Sequence, residues 1–139
     1  MSLEIQQREK EGITILDLRG RLTMGDEDLA LRQYLKSLCD TGKISIVLNL
    51  DGVTEIDTTG LGTLVFCSLK LRKAGGRMAL INLSPSHIEL MILLKLESLF
   101  EIFADEQSAV DSFFPDRAIQ RYDILSFVQR QSSEPTGNT

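Results

Sequence analysis

The chain has no tryptophan, a single histidine and two cysteines among its 139 residues. The lone histidine, His87, has no cluster of cysteines or carboxylates near it in sequence, so we expect no metal site and interpret it as a surface or cap residue of a helix. Cys39 and Cys67 both stand in helical patterns and cannot make a disulfide framework, which is typical of small apolar fillers kept reduced. Without a second histidine as base, a nucleophilic role for Cys67 is disfavoured.

Long hydrophobic runs are also absent. The longest apolar stretches, Ile44–Leu50 and Ile88–Leu96, are interrupted by polar residues and too short to cross a bilayer. The first ten residues hold no basic-then-apolar pattern of a signal peptide, and neither end carries a lipidation motif. The sequence therefore predicts a cytoplasmic protein.

Basic clusters and catalytic signatures are missing as well. Fifteen basic against 20 acidic residues leave a formal charge of −5, which disfavours nucleic acid or an anionic membrane as the main partner. The chain has no G-x-S-x-G elbow, no Gly-rich phosphate loop and no dinucleotide fingerprint. We therefore expect a protein that is not an enzyme and needs neither cofactor nor metal.

Strand and helix patterns alternate along most of the chain. A hydrophobic content of 42% suffices for one globular core. The alternation predicts an α/β fold: a single domain with a mixed, mostly parallel sheet, begun by a hairpin and covered by helices. The expected strands are Leu3–Arg8, Gly12–Gly20, Lys43–Leu50, Val53–Ile56, Arg77–Leu83 and Phe100–Phe103, and the expected helices run from Gly25–Asp28 to Thr41, from Asp57 to Gly75–Gly76, over Pro85–Lys95 and over Asp105–Phe113.

The alternation ends at Pro115. Residues 1–114 are accordingly predicted as the domain and residues 115–130 as a C-terminal helical extension, with an amphipathic helix over Ile119–Arg130. Residues 131–139 hold no large apolar side chain and are predicted as a disordered tail.

One segment carries the functional signal. Asp57, Thr58, Thr59 and Gly60 follow a buried strand and precede the longest helical pattern. On local composition alone this is a helix start, in which the acid or a threonine caps free N–H groups and the glycine permits close backbone approach.

The order of motifs around this segment is more particular than capping requires. It resembles the STAS domain, and specifically the small stand-alone anti-sigma factor antagonists (anti-anti-sigma factors), from about residue 4 to residue 113. The resemblance implies the same layered α/β fold. The motifs that carry it are Ile46–Leu50, Ile56–Gly62, Gly75–Gly76, Leu83–Pro85 and Leu99–Phe100.

The resemblance also implies a function. In that family the hydroxyl residue after the motif aspartate is phosphorylated by a partner kinase, and this position is Thr58 here, with Thr59 as the alternative. The unphosphorylated form would bind an anti-sigma factor that is itself a serine/threonine kinase, and a phosphatase would reverse the modification. Phosphate would add about −1.5 to −2 charge, which a helix N-terminus tolerates and which Asp57 would repel.

The helix after Thr58 offers a candidate partner surface. Thr59, Thr63, Phe66 and Lys70 recur at helical spacing, so we expect them on one face, with Phe66 as an aromatic anchor. The alternative is that Phe66 belongs to the core.

The loop Arg21–Asp26 is expected close to Thr58 in the fold that the resemblance implies. Thr23 and Asp26 in this loop, like Asp57 and Gly60 in the motif, are therefore candidate partner contacts. Gly20–Thr23 departs from the family pattern, because Thr23 stands where many relatives carry an acidic residue.

Two other classes of function remain open. STAS modules also occur in transport systems, so the chain could be a cytosolic accessory subunit of a lipid or anion transporter. A nucleotide-binding α/β domain is a weaker alternative, because the phosphate loop is absent.

Overall fold

The computed structural model describes residues 3–117, excepting the side chains of residues 26–28. The predicted helix over Ile119–Arg130 and the predicted tail at 131–139 lie outside the described residues. The elements are β1 (Glu4–Lys10), β2 (Ile13–Leu22), α1 (Asp26–Asp40), β3 (Ser45–Ile56), α2 (Thr58–Lys73), β4 (Arg77–Ile81), α3 (Pro85–Leu93), a 3-10 turn (Glu97–Leu99), β5 (Glu101–Phe103) and α4 (Glu106–Asp111).

The sheet is mixed, as predicted, and its strands stand in chain order from β1 to β5. Strands β1 and β2 form an antiparallel hairpin in which Lys10 pairs with Ile13. Glu11 and Gly12 make the turn with φ values of 55° and 82°. This left-handed pair suits a two-residue hairpin connection. Strands β2 to β5 are parallel, so α1, α2 and α3 each serve as a crossover connection.

The sheet separates two hydrophobic clusters. Neighbouring residues of β3, Val47 and Leu48, belong to different clusters, because side chains alternate across a strand. Crossovers of one hand place α1, α2 and α3 on the same face, and α4 covers the other. The helices contribute Leu31, Leu64 and Ile88 to the first cluster and Ala109 and Val110 to the second.

Both cysteines are free thiols within the helical layer. Cys39 is half-buried, whereas Cys67 is buried in the first cluster, where burial raises the pKa of its thiol to about 12. The thiol is therefore protonated at neutral pH, and the interpretation of the cysteines as small apolar fillers is confirmed.

Strand β3 is longer than predicted. The sequence suggested a break at Gly52, but β3 runs unbroken from Ser45 to Ile56. Gly52 pairs with Arg19 of β2 beside a register shift, and a side chain at position 52 would approach the Leu18 carbonyl to 2.7 Å. The glycine thus permits an irregular strand pair instead of a turn. The extension matters because it brings the ends of β2 and β3 together.

The prediction of a surface or cap residue at His87 is wrong. His87 is only 6% exposed, and the α3 cap is made by Ser84, whose hydroxyl accepts the His87 backbone N–H at 3.3 Å. No described residue hydrogen-bonds to the buried Nδ1 of the imidazole. Burial disfavours the charged ring and lowers the pKa of His87 below its usual value.

The buried imidazole makes stability depend on pH. Burial makes the folded protein take up a proton on His87 at a lower pH than the unfolded chain, in which the imidazole titrates near pH 6.5. The free energy of unfolding should therefore decline as the pH falls through this range. The slope from this one group cannot exceed about 1.4 kcal/mol per pH unit.

Urea denaturation of the wild type and His87→Leu between about pH 7 and pH 5 measures this effect, since carboxylates titrate in both proteins. The wild type should lose more stability than the variant as the pH falls. Parallel pH profiles would contradict the assignment.

Candidate functional site

The candidate site lies where β2 and β3 end side by side. Leu22 of β2 pairs with Ile56 of β3, and Asp57 follows at once in an extended conformation with φ −101° and ψ −177°. One carboxylate oxygen of Asp57 accepts the backbone N–H of Gly60 at 2.8 Å. Asp57 therefore caps the start of α2, and the capping interpretation of the motif is confirmed.

The other oxygen of Asp57 reaches the neighbouring loop. It accepts the backbone N–H of Met24 at 3.0 Å, which places the β2–α1 loop against the motif, as predicted. Partial desolvation acts to raise the pKa of the Asp57 carboxyl. The backbone N–H donors at Met24 and Gly60 outweigh desolvation and lower the pKa below its usual value. The site therefore holds a negative charge at neutral pH.

Gly60 is required by a close backbone approach. A Cβ at this position would come within 2.0 Å of the Leu22 carbonyl oxygen, closer than any real contact allows. Gly62, one residue beyond Leu61, is the opposite case, since a Cβ there would meet nothing within 4 Å. The two glycines of the motif therefore differ in role. Gly60 allows the start of α2 to pack against the end of β2, whereas Gly62 only leaves the exposed surface of α2 without a side chain at that position.

Thr58 is the first residue of α2, and its side chain is exposed next to the Asp57 cap. Thr59 is half-buried. Of the two candidate phosphorylation sites, Thr58 is the more accessible to another protein. Its position at the helix start puts the hydroxyl where backbone N–H groups are not used by the helix itself.

Two of the predicted partner contacts are buried. Thr63 has no exposed surface and Gly60 is also buried, so neither residue can contact a partner in this conformation. The helical spacing that grouped Thr63 with Phe66 did not show which side of α2 faces the sheet. Phe66 is 43% exposed, and the alternative of a core position for this ring is wrong.

Thr23 is half-buried in the β2–α1 loop, directly before Met24. The side chain of Asp26 lies outside the described residues. Met24 itself was missed by the sequence reasoning, although its side chain is 72% exposed beside the motif. An apolar residue in a polar loop was the available signal.

The exposed face of α2 changes in character with distance from Thr58. Gly62 comes first, then the exposed apolar side chains of Phe66 and Leu69, and then a basic last turn. Leu69 is 54% exposed. The basic residues of the last turn are Lys70, Arg72 and Lys73.

A shallow groove of about 200 Å³ lies beside this face, between α1 and α2. It is lined by Arg32, Gln33, Lys36, Phe66 and Lys70. The Arg32 guanidinium stands 4.5 Å from the centre of the Phe66 ring, and the Lys70 ammonium stands 5.7 Å from it. Both are cation–π distances. The sequence reasoning missed Arg32 and Lys36, because only tertiary packing brings α1 against α2.

Comparison with known proteins identifies the family. The STAS domain family model matches residues 4–109, and the chain belongs to that family. Two relatives are each 26% identical over 110 residues, which is 79% of this chain. One is the anti-sigma F factor antagonist of Paenibacillus polymyxa, and the match covers 94% of that protein. The other is the anti-sigma-B factor antagonist of Bacillus subtilis (strain 168), and the match covers 99% of that protein.

Solved structures show the same fold. The anti-sigma factor antagonist SpoIIAA in its unphosphorylated form superposes with a TM-score of 0.62 at 19% identity, over 81% of this chain and 99% of that one. The Bacillus SpoIIAA in the phosphorylated form gives a TM-score of 0.61 at 20% identity, over 79% and 99% of the two chains. Within residues 3–117, no helix is long and apolar enough to cross a membrane.

The two motif glycines should respond in opposite directions to the same substitution. Gly60→Ala forces the new methyl group into the Leu22 carbonyl and should destabilise the fold by about 3 kcal/mol or more. Gly62→Ala has open space in an exposed helix interior and should stabilise by about 0.5–1 kcal/mol. Urea midpoints of both variants at equal m-value measure the difference.

Each variant is the control for the other, since both add one methyl group to the same helix. A Gly60→Ala protein as stable as Gly62→Ala would refute the close approach at Gly60.

Proposed function

We propose that the chain is a partner switch controlled by phosphorylation of Thr58. In its unphosphorylated form it binds an anti-sigma factor through the surface around Thr58 and the exposed face of α2. A kinase, which by the family resemblance is the anti-sigma factor itself, phosphorylates Thr58 and so ends the contact. A phosphatase restores the binding form.

The observation that carries the proposal is the exposed Thr58 hydroxyl beside the Asp57 carboxylate. A kinase needs an accessible hydroxyl. The Asp57 side chain holds the segment around this one in place, because it accepts hydrogen bonds from both the first turn of α2 and the loop at Met24.

Electrostatics explains how the modification would act. Phosphate at Thr58 adds about −1.5 to −2 charge, next to a carboxylate that is ionised at neutral pH. A partner surface that fits the neutral hydroxyl would then face two adjacent negative groups. Charge of that size in a contact that excludes water weakens binding strongly, because like charges brought together in an interface cost several kcal/mol.

The same modification leaves the fold unharmed. The Thr58 side chain is exposed, so the phosphate replaces no packing contact. The positive end of the α2 dipole and the unused N–H groups of its first turn compensate part of the added charge. Binding can therefore change while stability does not, as a reversible switch requires.

The relatives support this proposal. The two curated relatives are named as antagonists of anti-sigma factors. SpoIIAA has been solved in an unphosphorylated and a phosphorylated form, and this chain superposes about equally well on both. The family thus contains a member that keeps this fold with and without phosphate.

Affinity capture from a host extract with wild type, Thr58→Ala and Thr58→Glu as baits tests the proposal. Wild type and Thr58→Ala should retain a kinase-like anti-sigma factor, identified by mass spectrometry. Thr58→Glu should bind the purified partner at least about tenfold more weakly in calorimetry, because its charge imitates the phosphate. Its free energy of unfolding should lie within about 0.5 kcal/mol of wild type, as for other surface substitutions.

Thr59→Ala is the matched control. With ATP and the captured partner, wild type and Thr59→Ala should each gain one phosphate and Thr58→Ala none. A phosphate on Thr58→Ala that Thr59→Ala lacks would move the site to Thr59. Equal recovery of a transporter subunit by all baits would reject the switch and favour the accessory-subunit alternative.

Gly62 allows a separate test of the contact surface. Gly62→Gln places a bulky neutral side chain on the exposed face of α2 without a clash inside the fold, because the position opens to solvent. The partner should bind this variant at least about tenfold more weakly, since bulk in a closely packed interface excludes contact around it. Gly62→Ala controls for the helix backbone and should bind better than Gly62→Gln. Equal affinity of the two variants would place the contact elsewhere.

A further inference from the structure

The groove between α1 and α2 combines an exposed aromatic ring with positive charge. It is lined by Phe66, by Arg32 and Lys70, which approach the Phe66 ring, and by Lys36, which pairs with Asp40 at 3.3 Å. The ring is 43% exposed beside the exposed Leu69, so apolar surface is available to a partner here. An aromatic side chain with cations around it is the composition of a binding hot spot.

The positive charge continues beyond the groove along α2. None of the side chains that the structure describes forms an ion pair with Lys70, Arg72 or Lys73. Cations in a last helical turn complement the helix dipole, but each contributes only about 0.3–1 kcal/mol at an exposed position. This basic turn stands out in a chain whose formal charge is −5.

We infer that the α1–α2 groove, with the basic last turn of α2, binds an acidic segment of a partner protein. An apolar side chain of that segment packs on Phe66 and Leu69, and its carboxylates lie between Arg32 and Lys70. The inference deepens the proposed function, because it describes the chemistry of the partner. It rests on the proposed function in one respect: both require that the chain binds a protein partner.

Charge complementarity favours an acidic protein segment in the groove over a second copy of the chain or an anionic membrane. A second copy of the chain would bring another net charge of −5 and meet long-range repulsion. An anionic membrane attracts a polybasic surface as a whole, whereas here basic residues line one groove and one helical turn of a protein whose net charge is −5. The groove therefore suits a narrow acidic segment.

Two synthetic peptides test the inference on the full chain. The first carries two glutamates and a leucine one helical turn apart, and the second has glutamines for the glutamates. In an NMR titration of isotope-labelled protein, the glutamate peptide should shift the backbone amide signals of residues 32–36 and 66–73. High salt should reduce these shifts, because it screens the charges. The glutamine peptide should shift them far less.

Lys70→Glu and Lys95→Glu form a matched pair, since both reverse one exposed lysine and change the net charge equally. Lys70→Glu should weaken the glutamate peptide about fivefold or more, because the reversal turns an attraction into a repulsion. Lys95→Glu should change its affinity by less than about twofold, since Lys95 lies outside the groove.

Several outcomes would overturn the inference. These are equal shifts with both peptides, shifts outside the groove, no shifts at all, or equal weakening by the two substitutions. Binding to phosphatidylserine vesicles that Lys70→Glu abolishes would assign the groove to a membrane, and a dimer that Lys70→Glu disrupts would assign it to a second copy. The peptides do not involve Thr58, so failure here leaves the switch intact, and failure of the Thr58 experiment leaves this result intact.

Discussion

The carboxylate of Asp57 is the contact on which the candidate site depends. One oxygen accepts the N–H of Gly60 and starts α2, and the other accepts the N–H of Met24 and holds the β2–α1 loop. A single ionised side chain thus joins three parts of the chain: the end of β3, the first turn of a helix and a loop that is remote in sequence. Hydrogen bonds to a charged acceptor are stronger than neutral ones, so this contact defines the conformation in which Thr58 is presented.

Close packing behind Asp57 makes that presentation rigid. Because Gly60 has no side chain, the Leu22 carbonyl can lie against α2, and the helix begins directly at the strand pair. Thr58 is then exposed although it is only one residue beyond a half-buried carboxylate. A modification at this position changes the charge of the surface and not the packing beneath it. The same arrangement serves both the ordinary need to cap a helix and the proposed switch.

Much of the architecture could be predicted from local pattern. The alternation of strands and helices, the leading hairpin and the Asp57 cap depend on periodicity and on near neighbours, which sequence displays directly. Residues whose role depends on a distant neighbour were predicted less well. His87 is buried because α3 packs on the sheet, Thr63 faces the interior, and β3 continues through Gly52 because β2 pairs alongside it. Helical spacing grouped Thr63 with Phe66 but did not orient the helix.

The sequence by itself determined the alternation of strands and helices and the motif from Asp57 to Gly62, because these follow from propensity, capping and turn chemistry within a few residues. Only the tertiary structure decided which side of α2 meets solvent, because that depends on which side chains the sheet buries. It also decided that Met24 meets Asp57 and that Arg32 meets Phe66 across two helices. These contacts join residues far apart in the chain, and no local rule connects them.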